Sequence, residues 1–308
     1  MRYLVTGAAG FIGSHLCERL LALGHDVVGL DAFIPYYPKP LKEQNLIEAA
    51  KNPRFRFLPL DLRSDDLRSA VDGVDVILHL AAMPGLIASW TDFDLYQSCN
   101  FTATQRLLEA IKGSKSLRRF VYGSTSSVYG KFASGDETLP TKPVSPYGVT
   151  KLAGEHLAKA HLEIFGTPVV TLRFFSVYGP RQRPDMAYNI FIKSLLAGTP
   201  ITVYGDGQQV RGNTYVADCV EAVIASPNAQ VGETYNIGGG EMVSVHDVLA
   251  KLERIAGKKF IVKTEPARIG DQRHTFADTT KLRRHLNWEP KTTIDEGLAK
   301  QFEWQKRV

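Results

Sequence analysis

Tyr147 and Lys151 stand four residues apart, a spacing that puts both on one face of a helix. A lysine ammonium beside a phenol favours the phenolate, so Tyr147 is a candidate general base at neutral pH. Upstream runs Gly123-Ser124-Thr125-Ser126-Ser127. From this cluster Thr125 could hydrogen-bond a reacting hydroxyl and hold it against Tyr147. Hydroxyl residues also satisfy strand ends, and Tyr–Lys pairs occur by chance on many helices. The pair gains meaning from the start of the chain. Gly7-Ala8-Ala9-Gly10-Phe11-Ile12-Gly13 is a G-x-x-G-x-x-G loop between an apolar strand and a helical pattern. Such glycines let backbone approach a pyrophosphate, and the helix N-terminus offers it unpaired N–H groups. Asp31 closes the next strand, eighteen residues past Gly13. A carboxylate there can accept both adenosine ribose hydroxyls and would repel a ribose phosphate, so NAD is expected rather than NADP. Asp61 and Leu62 are expected near the adenine, and Leu80, Ala81 and Ala82 against the cofactor.

These groups need a frame. Short apolar runs at 3–6, 26–30, 55–58, 75–79 and 120–123 read as buried strands. Helical spacing lies between them at 12–23 and 102–111, a further helix runs from Tyr147 to about Phe165, and a strand follows at 168–174. That alternation predicts an α/β, Rossmann-type doubly wound parallel sheet. Beyond Gly179, Pro and Gly become frequent and the strands shorter. We read 1–178 as the cofactor domain and 179–308 as mainly a smaller mixed α/β substrate lobe, with a segment at about 213–237 returning to the first domain.

Composition narrows the class. The 308 residues are 44% hydrophobic and 22% charged, which suits a folded globular chain. The net charge of +5 is scattered, with no basic run longer than Arg118-Arg119 or Arg283-Arg284. This argues against a nucleic-acid partner and suits an anionic small molecule. Cys17, Cys99 and Cys219 form no C-x-x-C pair, which argues against a disulfide framework and a zinc site, so no metal is expected. No signal segment or membrane-length apolar stretch is evident, and the cytoplasm is the expected location.

Taken together, the motifs resemble the extended short-chain dehydrogenase/reductases that act on nucleotide sugars. The resemblance spans essentially the whole chain. Besides the loop and the Tyr147–Lys151 pair it rests on Val128-Tyr129-Gly130, Ser145-Pro146, Val177-Tyr178-Gly179-Pro180-Arg181, Tyr204-Gly205-Asp206-Gly207, Arg211, Asn236-Ile237-Gly238 and Arg268-Ile269-Gly270-Asp271. Related 4,6-dehydratases carry carboxylates just after the position of Thr125; here Ser126 and Ser127 follow. Elimination needs that extra acid and base, whereas epimerisation needs only a hydride and one proton.

The stretch Arg173-Phe174-Phe175-Ser176-Val177-Tyr178-Gly179-Pro180, with Arg183-Pro184-Asp185-Met186, closely resembles UDP-glucuronate 4-epimerases. The chain departs from them in Ile87, in Gly212-Asn213 after Arg211, and in Ser176 where Thr is usual. The resemblance implies that Ser126, Ser127, Ser176 and Arg183 hold a C6 carboxylate. It also implies that Arg211 and Arg268 hold a diphosphate, Asp271 a ribose, and Val203 and Tyr204 a uracil. A homodimer through helices at about 92–112 and 146–165 is implied as well. The expected activity is NAD-dependent 4-epimerisation of UDP-glucuronate. The alternatives are epimerisation of UDP-glucose or UDP-N-acetylglucosamine, decarboxylation of UDP-glucuronate, and NAD sensing without catalysis.

Overall fold

The computed structural model describes residues 1–266 and 274–308. Strands β1 (Arg2–Thr6), β2 (Asp26–Leu30), β3 (Phe55–Leu58), β4 (Val76–His79) and β5 (Arg119–Thr125) enter one sheet with strands Val169–Phe174 and Thr234–Ile237. From one edge the order is Thr234–Ile237, Val169–Phe174, β5, β4, β1, β2, β3, and every pairing is parallel. Strands buried on both faces must be apolar throughout, and β4 (Val-Ile-Leu-His) is fully buried. The chain runs outward from β1 to β3 and then returns to place β4 on the other side of β1. Ligands of open α/β sheets bind at such a switch point, beyond the carboxyl ends of the strands.

β5 extends to Thr125, two residues past its expected end, so Thr125 sits on the sheet itself. The expected helix at 102–111 is Ala103–Ala110, preceded by a π-helical turn at Ser98–Thr102. The second lobe holds a mixed sheet. Met242–Ser244 pairs antiparallel with Val210–Tyr215, which pairs in parallel with His274–Ala277 and with Ser176–Tyr178. Ile201–Tyr204 and Val262–Glu265 form a separate parallel pair. The strand Thr234–Ile237 belongs to the main sheet. Nearby, the helix Val216–Ala225 is tied to helix α1 (Phe11–Ala22) by the Arg19–Glu221 ion pair. No helix among the described residues is long and apolar enough to cross a membrane.

Candidate active site

The glycine loop is shaped by contacts that exclude side chains. Gly7 takes φ +74°, a conformation that favours glycine. Its N–H and that of Ala8 donate to the Leu30 carbonyl at 2.8 and 3.2 Å, which ties the loop to β2. A Cβ on Gly13 would stand 2.1 Å from the Gly7 carbonyl oxygen, and one on Gly7 would meet the Ala81 nitrogen at 2.9 Å. The first turn of α1 opens on Gly10 without a side-chain cap, leaving its N–H groups for an anion.

Asp31 is held beside this loop. Its Oδ1 accepts from the Phe33 N–H at 2.8 Å and its Oδ2 from the Ala9 N–H at 3.2 Å. Burial raises its pKa, opposed by those amides and by Lys42. Thr6 Oγ1, 2.8 Å from the buried His79 Nδ1, accepts from the Ala81 N–H at 3.1 Å and so sets the Leu80-Ala81-Ala82 segment. Burial pushes His79 down to about 3, so the ring is neutral. Asp61 is held by the Arg63 guanidinium at 2.8–3.1 Å, and those bonds lower its pKa.

The helix Pro146–Phe165 positions the base. Ser145 caps it by accepting from the Gly148 N–H at 3.1 Å, and Pro146 occupies its first position. Gly148 lets this end approach the hydroxyl cluster, since a Cβ there would lie 2.8 Å from the Ser127 carbonyl oxygen. Further along, a Cβ on Gly154 would lie 2.1 Å from the Tyr122 hydroxyl of β5. The Thr125 hydroxyl accepts from the Ser127 N–H at 3.1 Å and donates to Ser127 Oγ at 3.2 Å, and its proximity favours the Tyr147 phenolate. Thr125 therefore satisfies its strand end and lines the same cavity as Tyr147.

Electrostatics depart from the expectation drawn from spacing. Burial raises the Tyr147 pKa; the Thr125 bond and the Arg183 charge pull it back. Lys151, only 2% exposed, is pushed by burial down to about 7, with Glu155 acting in the opposite sense. The protein groups alone do not make Tyr147 acidic, because desolvation of the phenol outweighs the nearby cations.

One cavity of about 500 Å³ joins these parts. Its wall includes Gly7, Gly10, Phe11, Ile12, Gly13, Asp31, Asp61, Leu62, Leu80, Ala81 and Ala82, and also Thr125, Ser126, Ser127, Tyr147, Lys151, Ser176 and Arg183. Val203, Tyr204 and Arg211 do not line it; they lie on strands of the second lobe. Arg268 and Asp271 lie outside the described residues. The side-chain-free cradle, the open helix N-terminus and the oriented Asp31 suit a dinucleotide such as NAD.

Sequence reasoning missed three contributors. Asn100, in the π-helical turn, bonds both backbone groups of Met83 and donates to Thr150 Oγ1 at 3.1 Å, joining a cavity loop to the Tyr147 helix. A π-turn often marks a functional position, but it leaves no sequence signature. Asp185 accepts from Arg183 Nε and Nη2, each at 2.9 Å, and Tyr36 donates to it at 3.0 Å. The Arg183 expected to meet a substrate carboxylate thus already holds one from the protein.

The whole chain has counterparts of known structure. It matches the crystal structure of UDP-glucuronic acid 4-epimerase from Bacillus cereus, in complex with UDP-glucuronic acid and NAD, with a TM-score of 0.96 and 43% identity over 100% of this chain and 99% of that one. It is 47% identical to the uncharacterized UDP-glucose epimerase YtcB of Bacillus subtilis over 98% of this chain and 97% of that protein. To the UDP-glucuronate 4-epimerase of Thermodesulfobacterium geofontis it is 37% identical, over 99% and 96% of the two chains. The model of the NAD dependent epimerase/dehydratase family matches residues 3–238, and the chain belongs to that family.

Proposed function

We propose that the chain is an NAD-dependent 4-epimerase of a UDP-sugar and that its substrate is UDP-glucuronate, interconverted with UDP-galacturonate. The observation that carries this reading is the shared cavity. The dinucleotide cradle, the Thr125–Tyr147 pair and the hydroxyls of Ser126, Ser127 and Ser176 face one space, with Arg183 on the same wall. The similarity to the Bacillus cereus enzyme supports the same substrate class.

In this reading Gly7, Gly10, Phe11, Ile12, Gly13 and Asp31 hold the cofactor, aided by Asp61, Leu62, Leu80, Ala81 and Ala82. Bound NAD supplies a reversible acceptor for the hydride from C4 of the sugar. Tyr147 takes the proton of the 4-hydroxyl, which Thr125 holds by a hydrogen bond, and returns it after the 4-keto sugar has turned its other face. Lys151 holds the nicotinamide ribose and, when charged, favours the phenolate. Ser126, Ser127, Ser176 and Arg183 hold the C6 carboxylate. A 4-keto glucuronate is a β-keto acid, and fixing its carboxylate keeps the C5–carboxylate bond out of line with the ketone π system. Val203, Tyr204, Arg211, Arg268 and Asp271 take the nucleotide, which remains the anchor while the sugar turns. The division of labour follows the chain, with 1–178 serving the cofactor and supplying most groups at the reacting sugar, and 179–308 mainly the nucleotide.

We further infer a homodimer through the region 92–112 and the helix Pro146–Phe165, where Phe93, Val149, Ile164 and Phe165 are exposed. A cytoplasmic location fits three buried free cysteines.

One observation favours a neutral sugar instead: Asp185 already occupies two donors of Arg183. Product analysis by NMR after incubation with UDP-glucuronate and with UDP-glucose decides between them. UDP-galacturonate is the expected product. Turnover of UDP-glucose alone would overturn the uronate reading, and a UDP-pentose would make the chain a decarboxylase. The Ser127→Ala/Ser176→Ala double variant sharpens the test. Each lost bond to a charged group is worth about 1.5–3 kcal/mol, so UDP-glucuronate should lose at least about tenfold in affinity while UDP-glucose is spared.

A further inference from the structure

The sugar wall has a support behind it that the reaction above does not use. Ser176 and Arg183 line the cavity from the two ends of one run of chain. Between them Arg181 takes φ +65°, a left-handed conformation that a residue other than glycine keeps only where its surroundings hold it. On one side Arg181 Nη2 is paired with Glu18 Oε1 of α1 at 2.7 Å. On the other side the run is met by the C-terminal helix, Ile294–Gln305, through Gln301.

Gln301 is fully buried and Gln182 is 4% exposed. A buried amide without partners is costly, so both groups must be satisfied by what surrounds them. The Gly179 N–H donates to Gln301 Oε1 at 2.9 Å, which leaves Gln301 Nε2 to donate to Gln182 Oε1 at 2.8 Å. That same Oε1 accepts from the Asn189 N–H at 3.0 Å, so Gln182 Nε2 is turned toward the Val177 carbonyl and donates to it at 3.1 Å. Asn189 Nδ2 in turn donates to the Gln182 carbonyl at 2.7 Å. Two backbone N–H groups, which can only donate, thus fix which way both side-chain amides face. The result joins Val177, next to Ser176, to Gln182, next to Arg183. Methionine would fill the space at 301, but it would leave the Gly179 N–H without this acceptor and remove one of the two bonds that orient Gln182.

We propose that Gln301 is a positioning residue for sugar specificity: through Gln182 it holds the run between Ser176 and Arg183 in the shape that presents both side chains to the C6 carboxylate. The proposal rests on the reading of those two residues as contacts of that carboxylate. Without Gln301 the run relaxes and the carboxylate loses its match, while NAD, held by the opposite wall, keeps its own.

The test compares UDP-glucuronate with UDP-glucose on the NAD-loaded full chain. In Gln301→Met the KM for UDP-glucuronate should rise about tenfold, the worth of a misplaced bond to a charged group. NAD should be retained, and kcat and the KM for UDP-glucose should stay within about twofold. In an Arg183→Met background the same substitution should add less than about threefold, because one of the groups it positions is already gone. Thr293→Ala removes the cap of the same helix, where Thr293 Oγ1 accepts from the Glu296 N–H at 3.3 Å. It should lower the thermal midpoint and leave both KM values within about twofold, which separates destabilisation from positioning. If Gln301→Met does not fold, Gln301→Glu keeps the bond from Gly179, faces Gln182 Oε1 with a second acceptor, and should show the same selective rise. An unchanged KM for UDP-glucuronate, an equal loss with both sugars, the same selective rise in Thr293→Ala, or a full tenfold rise in the Arg183→Met background would overturn the proposal. A wild-type chain that does not prefer UDP-glucuronate refutes the substrate reading before any variant is made, and the proposal falls with it.

Discussion

The two walls of the cavity are built on different principles. The cofactor wall is mostly backbone. Gly7 and Gly13 leave no room for side chains, and Asp31 is oriented by the Ala9 and Phe33 amides. The sugar wall is made of side chains with alternatives open to them. Thr125 is hydrogen-bonded to Ser127 through its hydroxyl, and Arg183 is paired with the partly exposed Asp185. A wall of main chain fixes what binds, because changing it means moving the chain. A wall of exchangeable hydrogen bonds can be retuned by one substitution. The fold can therefore keep one cofactor while its sugar specificity drifts.

Three substitutions would break or sharpen that contrast. The largest effect is expected where the walls meet. Tyr147→Phe should lower kcat by about 10²–10⁴, the usual worth of general base catalysis. NAD retention and the thermal midpoint should stay near wild type. Turnover close to wild type would remove Tyr147 from its role.

Gly13→Ala attacks the backbone wall. The added methyl would stand 2.1 Å from a carbonyl oxygen, and overpacking of that kind costs about 1–3 kcal/mol. We expect NAD to be lost on gel filtration and stability to fall, for every sugar substrate alike. Selective loss with one sugar would contradict the division between the walls.

Asp185→Asn is the mildest. A partly exposed pair contributes about 0–1 kcal/mol, so stability should barely change. Freed of its partner, Arg183 should bind a uronate up to about fivefold more tightly, read as a lower KM for UDP-glucuronate with UDP-glucose unchanged. A loss comparable to that of Gly13→Ala would mean that the sugar wall is as rigid as the other.

What could be read from the sequence follows from how local each feature is. The glycine loop, Asp31 and the Tyr147–Lys151 pair are legible because their meaning lies within a turn or a strand–helix junction. The Glu155–Arg173 pair joins residues 18 apart, Asn100 and Thr150 are 50 apart, and Tyr36 and Asp185 are 149 apart. No period or motif announces such meetings; only the tertiary packing of helices, strands and loops produces them. Spacing likewise shows that a lysine is close to Tyr147, but it does not show that the lysine is buried. Val203, Tyr204 and Arg211 are assigned to the nucleotide only by resemblance, since nothing in their local pattern distinguishes a nucleotide contact from an ordinary strand residue.

The glycines at 148 and 154 pin the Tyr147 helix at two points, against the Ser127 carbonyl and the Tyr122 ring. A helix held at two points six residues apart resists sliding along its axis. In the proposed cycle the base is then a stator, and the turning element would be the sugar pyranose, hinged at its diphosphate. The two faces of the ketone are then presented to a stationary proton site. Neither configuration at C4 is built into the protein, and the ratio of the two sugars at rest is a property of the sugars in water.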